Sequence, residues 1–476
     1  MSEPYRPRET QQSVLVRLLR MHLDDFLERA AGAAHPTHVP PFVERQLRAM
    51  VDCGDLTRGF VRLACSSCSG LRVVPFSCKG RLCPSCGGRR MSEQAAHLVD
   101  RVLPRTPYRQ WVLTLPWELA RAVAFDAKLS SQLFALFADE LGRWYRAGAE
   151  KAGIASPQTG CVLEIQRFAD GARLWPHGHA LVPEGVFVET EDGRVRFHKI
   201  RPPRDEDVEA IVTRIEERIA TMLSRRRDAA ERRQETDDSG TAQAYQLLLQ
   251  CSSLGPADRV LINNSGGQPP RGPSRRRAAR RKHLCVRTSA GLELHADVHV
   301  AARERSGLER LCRYLARPPL PEERLSWQPD GRIEIRLKRT WKGGVRALLF
   351  EPHQLIARLA ALIPLPRSNL RRFYGVFAAN HPLRERIVPK PPDPAKTKRP
   401  VAPERPAQMG WADLLKRTWN IDAMRCPYCS HGLMYVIAVV LEPDAITAII
   451  AAVHAASEQQ QPPQTAPRGP PDDRHS

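Results

Sequence analysis

The chain has 476 residues, and its 73 Lys and Arg against 52 Asp and Glu give a formal net charge of +21. Hydrophobic residues make up 42% of the sequence, which is enough to bury a core and excludes a chain that is disordered throughout. Such a positive charge is typical of proteins that bind polyanions, above all nucleic acids, although charge does not say what is done to them.

The sequence also lacks the patterns of a membrane or exported protein. Its longest apolar run, 434–441, is too short to cross a bilayer, and the first residues, MSEPYRPRETQQS, lack the apolar core of a signal peptide. We therefore expect a cytoplasmic, nucleoid-associated protein. Its 12 cysteines are then expected to bind metal or pack in the core, because disulfides are rare in reducing compartments.

Composition and periodicity divide the chain into five parts. Apolar residues at helical spacing and a run of cysteines predict a helical, zinc-binding first region, 13–104. Strand patterns that alternate with helices predict a second region of α+β class, 105–387. A Pro- and Lys-rich linker, 388–409, leads to a small module with one C-x2-C pair, 410–455, and a disordered tail, 456–476.

The second region contains the predicted strands and helices that matter most for function. In chain order they are a buried strand (110–119), a long helix (126–153), two paired strands (161–168 and 174–189), a charged helix (205–227), a mobile basic loop (264–283), a strand (292–302), a helix (307–317) and a hairpin (324–338).

The basic loop has no apolar periodicity and is dense in Gly, Pro and Arg. Its cationic side chains are predicted to contact phosphates, and the alternative is a solvated linker. These residues are Arg275, Arg276, Arg277, Arg280, Arg281 and Lys282.

Cysteines of the first region form two C-x2-C pairs with fourteen residues between them: Cys65, Cys68, Cys83 and Cys86. Each pair can place two thiolates on one zinc ion from a tight turn, so the two pairs together predict one closed S4 site. Such a zinc is structural, because every position is taken by a protein atom. Cys53 and Cys78 lie nearby and remain open as a replacement ligand or as a separate site.

A further pair, Cys426 and Cys429, stands alone in the C-terminal module. Only His431 lies close to it in sequence, and no second pair follows. Half of a zinc site and a purely structural turn are both compatible with this spacing.

Two histidines stand two residues apart in the stretch WPHGHALV, namely His177 and His179. On a strand, this period places both imidazoles on one face, where they can share a metal ion. Two imidazoles, one oxygen ligand and water suit Mg²⁺ or Mn²⁺ acting on a phosphate. Glu164 and Gln166, on the preceding strand, are the candidates for the oxygen ligand; two ordinary hydrogen-bonded histidines are the alternative.

The helix GLERLCRYLAR ends at Pro318-Pro319 and carries Tyr314 beside its apolar face. The flanking cations Arg310, Arg313 and Arg317 favour ionisation of a phenol and hold a phosphate near it. The alternative is a half-buried tyrosine without a chemical role.

Taken together, several stretches in this order resemble the rolling-circle transposases of the insertion-sequence-ninety-one family, which are single-strand endonucleases of the His-hydrophobic-His (HUH) class. The stretches are RGFVRLACSSC, FSCKGRLCPSCGGRRM, EIQRF, WPHGHALVPEGVF, LERLCRYLARPPL, FEPHQLIARLAALIP and FYGVFAAN. The resemblance implies an α+β fold in which a zinc-binding region precedes an antiparallel nuclease sheet with packed helices.

The resemblance also implies roles for single residues. His177 and His179 match the metal-binding pair, Tyr314 matches the catalytic tyrosine, and Gln166 is favoured over Glu164 as third ligand. The cofactors implied are a structural Zn²⁺ on the two cysteine pairs of the first region and a catalytic Mg²⁺ or Mn²⁺. The reaction implied is nicking and rejoining of single-stranded DNA at transposon ends through a 5′-phosphotyrosine.

Two positions depart from the family pattern. Gly178 stands between the histidines where a bulky apolar residue is usual, so we expect a less firmly anchored strand. Tyr374 stands where a histidine is expected, and its setting favours packing or base stacking. Since no G-x4-G-K-[ST] loop is found, we expect unwinding to come from host replication or helicase factors. The rival functions are a plasmid-type replication initiator or relaxase and a non-catalytic zinc-dependent DNA-binding protein.

Overall fold

The structure is a computed structural model that describes residues 3–4, 10–32, 39–233, 259–260, 284–341, 344–390, 410–429 and 431–459. The predicted basic loop with its six cationic residues, most of the predicted linker and most of the predicted tail lie outside these ranges. Within them, no helix combines the length and the apolar character needed to cross a membrane.

The first part of the chain combines helices with a small hairpin. Its elements are β1 (Glu3–Pro4), α1 (Val14–Gly32), α2 (Pro41–Val51), β2 (Phe60–Cys65), β3 (Leu71–Pro75) and α3 (Pro84–Arg101). The strands β2 and β3 pair antiparallel. Helix α3 begins directly after Cys83 with Pro84 at its first position, where proline costs no hydrogen bond.

The middle of the chain forms the large sheet and the helices that cover it. Its elements are β4 (Tyr108–Thr114), α4 (Trp117–Phe125), α5 (Ala127–Lys151), β5 (Gly160–Ala169), β6 (Arg173–Pro183), β7 (Gly185–Glu189), β8 (Val195–Lys199), α6 (Asp205–Arg233) and β9 (Arg259–Val260). The predicted long helix is confirmed, and Asp126 caps it by accepting a hydrogen bond from Leu129 N.

The rest of the chain returns to the same sheet and then to the first region. Its elements are β10 (Cys285–Arg287), β11 (Glu293–His295), β12 (His299–Val300), α7 (Arg305–Leu315), β13 (Leu325–Trp327), β14 (Ile333–Arg336), β15 (Ala347–Phe350), α8 (Pro352–Leu362), β16 (Arg371–Gly375), α9 (Arg384–Ile387), α10 (Trp411–Trp419), β17 (Ile421–Asp422), β18 (Met434–Val440) and α11 (Pro443–Gln459).

The central sheet has seven strands in the order β10-β11-β4-β6-β5-β16, with β12 also paired to β4, and all of its pairings are antiparallel. Helices α5 and α6 cover one face, where the core includes Trp111, Phe134 and Phe137. Helices α3 and α7 cover part of the other face, where Leu308 and Cys312 of α7 are buried. The α+β class predicted from the sequence is confirmed.

Smaller sheets complete the structure. Strands β13, β14, β15 and β9 form a second antiparallel sheet, and β7 pairs with β8. Strand β18 of the C-terminal module pairs antiparallel with β2, so that a three-stranded sheet joins the two ends of the chain. The C-terminal module therefore packs on the first region rather than standing apart.

Candidate functional site

The two histidines lie side by side on β6, in the middle of the central sheet. Their ring centroids are 4.8 Å apart, as expected for residues two apart on one strand. Nδ1 of His177 lies 2.9 Å from Trp175 O, and Nδ1 of His179 lies 2.7 Å from the side-chain amide of Gln110. Because a carboxamide can present either its oxygen or its nitrogen, Gln110 can fix either tautomer of His179.

Burial keeps this histidine pair uncharged. Desolvation lowers the pKa of His177 to about 4, and it lowers the pKa of His179 well below its usual range, with help from His177 and Arg317. Nε2 of His179 is buried and has no hydrogen-bond partner among the described residues. A neutral imidazole held at Nδ1, with Nε2 free, is the arrangement that metal-binding histidines show.

The neighbouring strand β5 carries both candidates for an oxygen ligand, Glu164 and Gln166. Gln166 lies opposite His177 and Glu164 opposite His179 in the β5–β6 register. Glu164 is bound by Arg371, whose Nε lies 2.7 Å from the carboxylate. Gln166 instead has a buried Oε1 without a hydrogen-bond partner in the described structure. Since an orphaned buried oxygen is costly, the geometry fits a metal ligand at Gln166 rather than at Glu164.

Helix α7 brings Tyr314 to the same place. Gln166 Nε2 donates to the backbone oxygens of Tyr314 and Leu315, at 3.1 and 2.7 Å, and so ties the end of α7 to the sheet. The Tyr314 ring lies 6.2 Å from the ring of His179, centroid to centroid, and the side chain is 39% exposed. The structure therefore brings His177, His179, Gln166 and Tyr314 together.

Cations surround the Tyr314 ring. The guanidinium carbon of Arg317 lies 4.1 Å from the ring centroid and Lys338 Nζ lies 5.4 Å away. Lys338 follows β14 and was not expected from the sequence, since nothing in the predicted hairpin pointed toward the helix. A partly exposed tyrosine with two cations close to its ring is placed to meet an anionic substrate.

The second tyrosine lies on the other face of the sheet. Tyr374 on β16 pairs with Cys161 on β5. Cys161 and Glu164 are three residues apart on one strand, so their side chains point to opposite faces of the sheet. Because Glu164 lies on the histidine face, Cys161 and Tyr374 lie on the other face. Tyr374 packs against the core beneath α5, and burial raises its pKa. This position separates Tyr374 from the histidine pair.

Helix α5 explains why a glycine, Gly178, stands between the two histidines. A Cβ at this position would lie 2.7 Å from Cε1 of Phe134, a ring of α5 that is fully buried. Phe134 thus occupies the space that a bulky residue between the histidines would need. The apolar residue at this point of the core therefore comes from α5 rather than from β6.

The cysteines do not form the single site predicted from their spacing. One cluster consists of Cys53, Cys78, Cys83 and Cys86, and the other of Cys65, Cys68, Cys426 and Cys429. The predicted set of Cys65, Cys68, Cys83 and Cys86 is therefore corrected, because each of its pairs meets a different partner pair.

The β2–β3 hairpin explains why Cys65 and Cys68 do not share a site with Cys83 and Cys86. Cys65 and Cys68 lie at its turn, whereas Cys53 precedes β2 and Cys78 follows β3 at the open end. A five-residue strand such as β3 spans about 17 Å, too far for thiolates at its two ends to share one ion.

Both clusters have the dimensions of a zinc site. The four sulfurs of each lie within 4.8 Å of one another. Sγ of Cys53 lies 3.6 Å from Sγ of Cys86, and Sγ of Cys68 lies 3.7 Å from Sγ of Cys426. Tetrahedral zinc with Zn–S bonds of about 2.3 Å places its sulfurs about 3.8 Å apart, so both clusters support structural zinc.

Two family models match the chain. A model described as a transposase zinc-binding domain matches residues 18–115, and a model described as a putative transposase matches residues 160–384. This chain is a transposase of the insertion-sequence-ninety-one family. The resemblance stated from the sequence is thereby confirmed, and the transposase is a DNA-processing enzyme that binds DNA.

One curated relative supports the same assignment. The transposase is 23% identical over 399 residues to the transposase for insertion sequence element IS801 of Pseudomonas savastanoi pv. phaseolicola, and the match covers 82% of each chain. No solved structure matches the transposase. The zinc-binding match ends before Cys426, so the second cluster takes half of its ligands from outside the matched domain.

Sequence reasoning missed Gln110, the residue that contacts Nδ1 of His179. It lies in the predicted buried strand at 110–119, and a polar side chain in such a strand was the available signal. Because strand alternation places Gln110 on the histidine face, the pattern becomes informative once β4 is known to pair with β6.

Proposed function

We propose that the transposase nicks and rejoins single-stranded DNA at transposon ends through a 5′-phosphotyrosine intermediate on Tyr314. The observation that carries the proposal is the meeting of Tyr314 with two neutral histidines whose neighbour Gln166 has an orphaned buried oxygen. Substrate DNA, host replication or helicase factors and action at the nucleoid belong to the same proposal.

His177, His179 and Gln166 would hold a Mg²⁺ or Mn²⁺ ion. When bound, such an ion supplies Lewis-acid polarisation of the scissile phosphate. The residues fit it because the two imidazoles lie side by side on β6, Gln166 with its unpaired oxygen lies opposite His177 on β5, and Glu164 is already engaged by Arg371.

Tyr314 supplies the nucleophile. Its Oη forms a bond to phosphorus, the bond between phosphorus and the 3′ oxygen breaks, and the phenol proton leaves to solvent from the exposed side of the ring. Arg317 and Lys338, both close to the ring, stabilise the phenolate and the phosphate charge. Since the phosphotyrosine keeps the ester bond, a free 3′ hydroxyl can reverse the reaction without ATP.

The rest of the chain has supporting parts in this proposal. The zinc clusters hold the first region and the C-terminal module in shape, and the six basic residues of 264–283 contact DNA phosphates. Neutralising those six residues should weaken binding of single-stranded DNA. It should also flatten the salt dependence of binding, by about 0.7 in slope for each phosphate that is no longer neutralised.

A metal-dependence experiment tests the proposal. The transposase is incubated with labelled single-stranded oligonucleotides of a transposon end over a range of Mg²⁺ and Mn²⁺ concentrations. Wild-type protein should cleave, and His177→Ala with His179→Ala should not cleave at any concentration. Gln166→Ala should need more metal than wild type, whereas Glu164→Gln should not. Equal metal dependence of wild type and Gln166→Ala would contradict the third ligand.

Two rivals remain as outcomes of the same experiment. A plasmid-type initiator or relaxase would prefer a replication-origin sequence over a transposon end. A non-catalytic DNA-binding protein would bind the oligonucleotide and leave it uncut. The histidine and tyrosine geometry favours the catalytic function over the second rival.

A further inference from the structure

A cavity of about 60 Å³ lies where the first zinc-binding region meets the end of the catalytic helix. Arg81 and Leu82 of the loop before α3 line one side, and Gln166 with Arg317 line the other. The walls approach closely, since a Cβ on Gly87 would lie 2.8 Å from Pro318. The cavity has room for several water molecules or one small anionic group.

The charges that line this cavity are mostly positive. Its arginines are Arg81, Arg90, Arg167 and Arg317, and its one carboxylate is Glu164. Four positive charges against one negative charge leave an excess of three. Glu164 is bound by Arg371 and its charge also acts on Arg81, so this one carboxylate is shared among several arginines.

Two of the four arginines already donate to backbone oxygens of the protein. Arg167 donates to the backbone oxygens of Ala124, Ala361 and Leu362. Arg90 donates to Lys79 O at 2.7 Å.

The other two arginines, Arg81 and Arg317, make neither a hydrogen bond nor an ion pair with any residue that the structure describes. Arg81 is half-buried, and Arg317 stacks on the Tyr314 ring. Partly buried guanidinium groups that lack acceptors are satisfied by an anion, and phosphate matches their planar donors.

We propose that this cavity binds one phosphodiester group of the DNA strand close to the scissile phosphate, through Arg81 and Arg317. The inference rests on the proposed attack by Tyr314, because Arg317 contacts both the cavity and that ring. Arg81 lies between the cysteines Cys78 and Cys83, so the first cysteine cluster fixes the residue that binds the strand. The zinc-binding region thereby forms part of the nuclease site.

The test measures binding without cleavage. Full-length Tyr314→Phe protein, without added Mg²⁺, is titrated with single-stranded oligonucleotides of a transposon end in which one linkage at a time is a neutral methylphosphonate. The methylphosphonate at one linkage next to the nick position should weaken binding roughly tenfold, because a neutral linkage cannot accept a charge-assisted hydrogen bond. Adding Arg81→Gln should weaken binding of the unmodified strand similarly and abolish the effect of that one linkage.

Matched variants keep the outcome interpretable. Arg89→Gln removes an exposed arginine of α3 that does not line the cavity and should stay sensitive to the same linkage. Arg81→Gln should reduce the slope of log affinity against log salt concentration by about 0.7, whereas Arg81→Lys should leave this slope unchanged. Unchanged zinc content and melting temperature show that Arg81→Gln is folded.

The results separate this inference from the proposed function. If every linkage has the same effect with and without Arg81→Gln, the cavity is not a phosphate site, even if wild-type protein nicks DNA. If the linkage effect is present but wild-type protein never nicks, the cavity binds DNA and the proposed chemistry is wrong.

Discussion

The two clusters each consist of four cysteines, but they connect different parts of the chain. The first draws all its ligands from 53–86, and its last two cysteines open helix α3. The second joins Cys65 to Cys429, which are 364 residues apart. One cluster thus lies at the start of α3, whereas the other connects the first region with the C-terminal module.

The helix that begins at the first cluster packs against the helix that carries Tyr314, the proposed nucleophile. Helix α3 packs along α7, and Arg305 at the start of α7 donates to Leu103 O and Pro104 O beyond the end of α3. Arg305 therefore fixes α7, and with it Tyr314, against the helix that begins at the cluster. None of the four cysteines of the second cluster lies in α3 or α7, so we expect its loss to cost less activity.

The largest effect is expected from Cys83→Ser with Cys86→Ser. One of two zinc ions per chain should be lost, and nicking should fall about 100-fold or more because α3 no longer holds α7 in place. Elemental analysis and a nicking assay measure the two effects. Cys285→Ser, which changes a cysteine outside both clusters, is the control and should keep both ions. Retention of two zinc ions by the double variant would contradict the assignment.

A smaller effect is expected from Cys426→Ser with Cys429→Ser. This change should also remove one zinc ion, but nicking should stay within about tenfold of wild type, because α3 keeps its own cluster. Limited proteolysis should show that β18 and α11 become accessible. A loss of nicking as large as that of the first double variant would show that the two clusters do not differ in function.

The clusters should also lose zinc at different rates. Two cysteines of the second cluster are half-buried, Cys68 and Cys429, against one of the first cluster, Cys78. A chelator should therefore remove zinc in two phases, the faster one from the second cluster. The fast phase should be absent from the variant with Cys426→Ser and Cys429→Ser, and its persistence there would reverse the assignment.

The smallest effect is expected from Arg417→Ala in α10. Arg417 bridges the two regions, since it binds Glu309 of α7 at 2.7 Å and also Asp100 of α3. Its removal should lower stability by about 1 kcal/mol, because the pairs are only partly shielded from water. Thermal unfolding of Arg417→Ala, Arg417→Lys and wild type measures this, with Lys intermediate. A loss of nicking beyond about threefold would mean that the bridge positions Tyr314.

Local patterns predicted correctly that the two histidines share one face and that Tyr314 lies beside the apolar face of its helix. A period of two placed His177 and His179 together, and helical periodicity placed Tyr314 at the edge of a buried face. Both inferences depend only on residues within one element. The strand predicted at 292–302 was less accurate, because it is split into β11 and β12 where Arg109 binds Ala296 O.

Long-range partners were beyond the reach of the same patterns. A C-x2-C pair states that two thiolates can share an ion but does not say which second pair completes it. Cys68 and Cys426 are 358 positions apart in the sequence, and they meet because β18 adds to β2. The fit of Gly178 likewise depends on Phe134, which belongs to a different helix.

The central claim is that Tyr314 is the nucleophile, and trapping the covalent protein–DNA adduct tests it most directly. A labelled single-stranded oligonucleotide with a transposon end is incubated with Mg²⁺ or Mn²⁺, the adduct is isolated on a denaturing gel, and peptide mapping locates the label. We expect the label on Tyr314, no adduct with Tyr314→Phe, and most of the adduct with Tyr374→Phe, whose side chain lies on the opposite face of the sheet. An adduct on Tyr374, or one that survives Tyr314→Phe, would contradict the account.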